Sequence, residues 1–147
     1  VSNVYKPPKP PLTLKSVPRF SEVYWCDFSI SAVLPEFDDR HPVMIVRSGQ
    51  HLHKPHVVLP LTSTDQTGNA YAYRFGRNPV PGQGVKTSWA ICDQLYAVAT
   101  ERLDPIFDNR LKRNVYPKIH GEDLRKIGVL VRRALHRLIE ASLPPAL

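Results

Sequence analysis

Apolar and polar residues alternate along most of this chain with the two-residue period of a strand, and only the C-terminal end changes to a helical period. From Ser21, SEVYWCDF is rich in strand formers, with Val23, Trp25 or Tyr24, Cys26 and Phe28 offered to alternate faces. A loop carrying Pro35, Glu36, Asp38 and Asp39 follows. HPVMIVRS is a second strand, and its unbroken apolar middle predicts burial on both faces. HVVLPLTS, from His56 to Ser63, is a third. AYAYRF alternates cleanly and is expected to pair with KTSWAICD across the Pro/Gly-rich stretch from Arg77 to Gly84. QLYAVATERL makes a further short strand. From Gly121, apolar residues fall at Leu124, Ile127, Leu130, Val131, Ala134, Leu135, Leu138 and Ile139, a helical stripe. Glu122 and Asp123 occupy its first turn and arginines its later turns, as the helix dipole favours, and Pro144 and Pro145 stop it. The pattern predicts a mainly β protein, a small barrel or sandwich, with one amphipathic C-terminal helix at about residues 121–142 laid upon it.

Composition changes the picture at the two ends. Residues 1–18 contain five prolines, including the run KPPKPP, and read as an extended, poorly ordered arm outside a single domain spanning 19–143. The chain's 147 residues suit one domain, and 42% hydrophobic with 22% charged residues is globular composition. No apolar run approaches the roughly 18 residues a membrane helix needs, and no signal segment opens the chain. The expected compartment is the cytoplasm, with no membrane partner. Cys26 and Cys92 each lie in an apolar run and read as reduced, buried small hydrophobes, a catalytic thiol being the alternative. Residues 110–137 hold nine lysines and arginines against Glu122 and Asp123, so this segment carries the whole formal charge of +7. Such a field suits a polyanion or an acidic protein, and equally describes the solvated face of a helix.

Several stretches, in order, resemble the MazF/PemK toxins, also called the Kid family. VYWCDF looks like the family's opening "iywvdf", and PEFDDRHPVMIV resembles its "E…RPvlv" element. VVLPLTST is similar to "plTs", and WAICDQLYAV to the "v.cDQ..tv" strand. KIHGEDLRKIGVLVRRAL is similar to the closing turn and helix, so that the likeness covers roughly residues 19–140. The resemblance implies an SH3-like barrel of the MazF/PemK/CcdB type and a homodimer. It also implies metal-independent, sequence-specific cleavage of single-stranded RNA with no cofactor, and neutralisation by a small acidic antitoxin, with operator DNA bound through that complex. Two rivals share the fold. One is a non-catalytic module that binds antitoxin or nucleic acid. The other is a CcdB-like gyrase inhibitor, but those act through an apolar, Trp-containing C-terminus and this chain ends SLPPAL.

Cutting RNA without a metal requires a base at the 2′-hydroxyl, an acid at the departing 5′-oxygen and donors for the phosphate charge. In the family the arginine before the proline of "RPv" and the threonine of "plTs" carry much of this. Thr62 matches that threonine and Ser63 follows it; the other reading is a strand end closed by turn hydroxyls. His41 stands at the arginine position, with Arg40 one residue earlier. Arg40 reaches the site by its length, or His41 supplies the acid or base, or the site is degraded and His41 packs. A second family arginine position is Ile91 here, whereas Asp93 is retained, as a base, an orienting group or a turn acid. Glu36, Lys54, Tyr71, Tyr73 and Lys86 are further candidates for RNA contact, the two tyrosines by stacking on bases. Trp25 and Trp89 are expected to pack in the core. His51, His53 and His56 contain a His-x-His pair, short of the three or four ligands a zinc site takes; a loop that touches RNA and a solvated loop are the other readings.

Overall fold

The computed structural model describes residues 9–29 and 39–145, so Glu36 and most of its loop lie outside the described residues. Nine short strands precede two helices: β1 (Val23–Asp27), β2 (Arg40–Arg47), β3 (His56–Thr62), β4 (Ala72–Arg74), β5 (Trp89–Ile91), β6 (Tyr96–Val98), β7 (Leu103–Asp104), β8 (Ile106–Asp108), β9 (Arg113–Val115), α1 (Gly121–Ala134) and α2 (His136–Ser142). A single 3-10 turn, Thr100–Arg102, leads into β7.

The main sheet is antiparallel, in the order β4-β5-β3-β2-β1-β7, with β6 also on β3. β3 is the hub. It pairs β2 along one edge, and on the other it serves β6 at residues 56–58 and then β5 at 61–62. Pro60, which has no N–H to give, falls in the gap between those two partners. The hydrogen-bonded path ends at β4 and at β7, so among the described residues the sheet is open and not a closed barrel. Both end strands are only two or three residues long. α1 lies against β4, and the hairpin β8–β9 touches β1 through β8.

Alternation along β1 divides the core in two. Val23 faces a cluster with Met44, Leu59, Leu61, Ala90 and Ile127, and the half-buried Trp25 packs at its edge. Tyr24, Cys26 and Phe28 face a second cluster with Val43, Ile45, Val58 and Leu103. The apolar middle of β2 is buried on both faces, as its sequence predicts. Both thiols are buried and unpaired, and desolvation pushes each up to about 12, which keeps them protonated.

Three expectations change. The arm is part of the fold at its described end: Leu14 is 4% exposed in the second cluster. Thr13 Oγ1 lies 3.0 Å from the Leu103 carbonyl and 2.8 Å from Asp104 Oδ1. The strands predicted around β4 and β5 are shorter, with Phe75 and Cys92 buried just beyond the paired residues and each held there by one backbone hydrogen bond, to Ser88 and Tyr71. The single C-terminal helix is two, broken at Leu135, whose φ of −103° and ψ of 12° leave the helical region. α1 buries Ile127 and rests Leu124, Leu130 and Val131 on the first cluster. α2 buries nothing, and Leu138 is 69% exposed. Among the described residues no helix is long and apolar enough to cross a membrane.

Candidate functional site

β1 and β2 bring the first part of the site together. Their register sets Trp25 opposite Pro42 and Asp27 opposite Arg40. The Arg40 guanidinium lies 5.1 Å from the Trp25 ring centroid and 3.5 Å from Asp104 Oδ2. That ion pair is exposed at 53% and 39%, which makes it worth well under about 1 kcal/mol and leaves most of the five guanidinium donors unspent. Its effect is to steer Arg40 over the indole. His41 sits beside it, its ring 6.4 Å from that of Phe28.

The end of β3 supplies hydroxyls. Thr62 is buried and its Oγ1 accepts the Thr64 N–H at 3.1 Å, which turns the chain out of the strand and leaves the hydroxyl proton to donate. Ser63 follows, exposed. The third part is the loop between β4 and β5. Val80, 3% exposed, plugs it into the core. Asn78 ties it across, its Oδ1 accepting the Val80 N–H at 2.9 Å and its Nδ2 donating to the Lys86 carbonyl at 3.1 Å. Lys86 N–H donates in turn to the Gln83 carbonyl at 3.0 Å. A long Pro/Gly loop thereby holds a lysine in a defined place.

These three parts enclose an open cleft of about 220 Å³, lined by Trp25, Arg40, His41, Thr62, Ser63 and Lys86, with Asn78, Gln83 and Ser88 behind them. Two fixed cations, an imidazole and two hydroxyls converge there. Such a set binds an anion with charge spread over several oxygens, as on a phosphodiester.

Of the candidates from sequence, Arg40, His41, Thr62, Ser63 and Lys86 meet in this cleft. The others lie elsewhere. Asp93 is exposed in the turn after β5. Lys54 is exposed in the β2–β3 turn, its N–H donating to the His51 carbonyl at 3.2 Å. Tyr71 is half-buried before β4, and its carbonyl accepts the Cys92 N–H. Tyr73 is engaged in packing: its hydroxyl donates to Asp123 Oδ1 on α1, its ring meets Phe75 edge-on at 5.3 Å, and burial pushes it up to about 12. Ile91 is core.

His56 is also withdrawn from solvent. Its Nδ1 accepts the Gly49 N–H at 2.8 Å, so Nε2 carries the proton and donates to Thr100 Oγ1, also at 2.8 Å. Among the described residues no three His, Cys, Asp or Glu side chains form a group able to hold a metal ion. The tryptophans meet the expectation of core packing only in part, Trp25 resting on the first cluster with one side open. Both are half-buried at surface clefts, Trp25 under Arg40 and Trp89 with the Arg74 guanidinium 6.0 Å from its ring. Asn78, Gln83 and Ser88 join the cleft without a motif in the sequence that names them. Asn78 followed two residues later by Val80 is Asx-turn spacing, the one signal in the sequence that marks this loop as built.

The fold is an open antiparallel sheet followed by two C-terminal helices, and it carries a cleft lined by cationic and hydroxyl side chains. Residues 19–127 match the model of the PemK-like, MazF-like toxin of type II toxin–antitoxin systems, and the chain belongs to that family. No curated protein sequence matches it significantly. Among solved structures it is similar to an endoribonuclease from a mycobacterial species, with a TM-score of 0.56 at 18% identity over 82% of this chain and 93% of that one. It is also similar to the Mycobacterium tuberculosis toxin MazF-mt6, with a TM-score of 0.51 at 13% identity over 78% and 96% of the two chains. At these identities the likeness is one of fold.

Proposed function

We propose that this protein is the toxin of a type II toxin–antitoxin pair and acts as a metal-independent, sequence-specific endoribonuclease on single-stranded RNA. One observation carries the reading: three separated segments deliver Arg40, His41, Thr62, Ser63 and Lys86 to a single cleft. Two structural neighbours are known as an endoribonuclease and a MazF toxin, which supports the same activity here.

In the proposed reaction His41 takes the proton of the 2′-hydroxyl, and the 2′-oxygen attacks the phosphorus. The P–O5′ bond breaks, and the 5′-oxygen leaves with a proton returned by imidazolium or water. The products are a 2′,3′-cyclic phosphate and a 5′-hydroxyl end. Arg40 and Lys86 balance the charge that builds on the phosphate oxygens, and the Thr62 hydroxyl donates to one of them. On this reading the protein works in the cytoplasm as a homodimer, its sheet is of the SH3-like barrel class, and an acidic antitoxin blocks the cleft. Operator DNA is bound through the antitoxin complex.

The test is incubation of purified protein with mixed cellular RNA in EDTA, with the ends of the fragments then analysed. Discrete cuts bearing 5′-hydroxyls are expected, and His41→Ala and Thr62→Ala each lower the rate about a hundredfold or more. Absence of cutting at high concentration of folded protein overturns the enzyme in favour of a module that binds antitoxin or nucleic acid.

A further inference from the structure

A second cleft, of about 450 Å³, opens on the far side of the β4–β5 loop, and Asn78 lines both. Its walls are Arg77, from the same loop, Arg110, from the β8–β9 turn, and Lys118 and His120, from the segment entering α1; Pro79, Pro81 and Ile119 provide apolar wall. All four basic side chains are exposed, and none makes a hydrogen bond or ion pair with another described residue.

Two carboxylates also line the cleft, and both are already engaged. Asp108 Oδ1 accepts the N–H groups of Arg110, at 2.8 Å, and Leu111, at 3.2 Å. Asp123 Oδ1 accepts the Tyr73 hydroxyl. Three permanent cations and an imidazole are therefore drawn from three separate stretches of chain to one concavity, where Asp108 and Asp123 offset two of the three positive charges and pair directly with none of the cations. The cleft keeps a net positive charge, and its exposed guanidinium and ammonium donors are free to bond the oxygens of a phosphate.

We infer that Arg77, Arg110, Lys118 and His120 form a phosphate-binding extension of the catalytic cleft, which takes the backbone of the RNA beyond the nucleotides at the cut. This rests on the endoribonuclease reading of the first cleft and adds to it where the flanking strand runs. Asn78 is the joint. The side chain that holds Lys86 beside the scissile phosphate also borders the second cleft, so a strand leaving the first meets Arg77 next. The contacts are to phosphates, so the extension adds affinity without reading bases.

The experiment compares the unaltered protein with the double variant Arg110→Gln, Lys118→Gln. Two RNA substrates are used, a short oligonucleotide that just spans a mapped cut and the same sequence lengthened on both sides. Binding of a labelled oligouridylate is followed alongside as salt is raised. The unaltered protein is expected to show a lower KM on the long substrate. The variant should lose that advantage, with KM on the long substrate rising about tenfold while kcat, and both constants on the short substrate, stay within about twofold. The slope of log affinity against log salt should become shallower by about 1.4, roughly 0.7 for each phosphate contact removed. If the unaltered protein cuts RNA but the variant keeps the length advantage and the salt slope, the extension is overturned and the cleavage reading stands. If the unaltered protein neither cuts RNA nor binds oligouridylate, both fall together.

Discussion

The His56 imidazole illustrates how a residue type associated with chemistry becomes a fastener. It is fully buried at the start of β3, accepting from the Gly49 amide and donating to the Thr100 hydroxyl. A Cβ on Gly49 would run into the Pro55 carbonyl oxygen and meet the Lys54 Cβ at 2.8 Å, so the turn closes onto the imidazole only with glycine there. Burial lowers the His56 pKa below the ordinary value of about 6.5. The unfolded chain therefore binds this proton more readily than the folded one. The contribution of His56 is fully present above about pH 6.5 and is lost as pH falls below it. Chemical denaturation at pH 7.5 and at pH 5.5 checks this. His56→Gln should cost about 2 kcal/mol at the higher pH, where an unfilled buried bond is left behind, and less at the lower. An equal cost at both would show that the imidazole does not titrate with folding.

At the scale of elements, α1 and α2 share one sequence pattern and meet different fates. The stripe from Leu124 to Ile139 is continuous in the sequence, but the sheet beneath it is not, and only the part over β4 and the first core finds a surface. Removing residues 136–147 should therefore change the thermal midpoint by no more than about 2 °C, whereas Ile127→Ala in the buried part should cost about 3 kcal/mol. A large loss on removing α2 would mean that its exposed leucines are covered in the protein as it exists in solution. The same contrast marks what was legible in the sequence. Strands with a regular apolar alternation, such as β1 and β3, were readable because period alone identifies them. The hairpin β8–β9 was not, since Phe107 and Leu111 are exposed and leave no periodic trace. In the cleft, residues matched by the strand motifs at Arg40, His41, Thr62 and Ser63 were found from sequence. The strand pattern places Trp25 in the core, because period alone cannot say which end of a face opens to solvent. Lys86 is also a candidate from sequence, but the packing that brings it back to β2 is tertiary, and the Asx-turn spacing of Asn78 and Val80 marks a turn without saying where the loop lands.

For the molecule as a whole, the proline-rich N-terminal stretch is an anchor at its described end. Leu14 is buried against residues that include Leu103, and Leu14→Ala should lower stability by about 2–3 kcal/mol in urea titration. A loss below about 0.5 kcal/mol would show that the arm only rests on the surface. The pairing of β1 with β7 joins Trp25 to Asp104 across most of the chain, and Asp104 is also the group that steers Arg40 over the cleft. Contacts so far apart in sequence close late and slowly, after the entropy of a long loop has been overcome. A growing polypeptide on the ribosome therefore cannot complete this cleft until residue 104 has emerged. On the proposed reading of an RNA-cutting toxin, the consequence is temporal: a chain synthesised short of residue 104 lacks the group that steers Arg40.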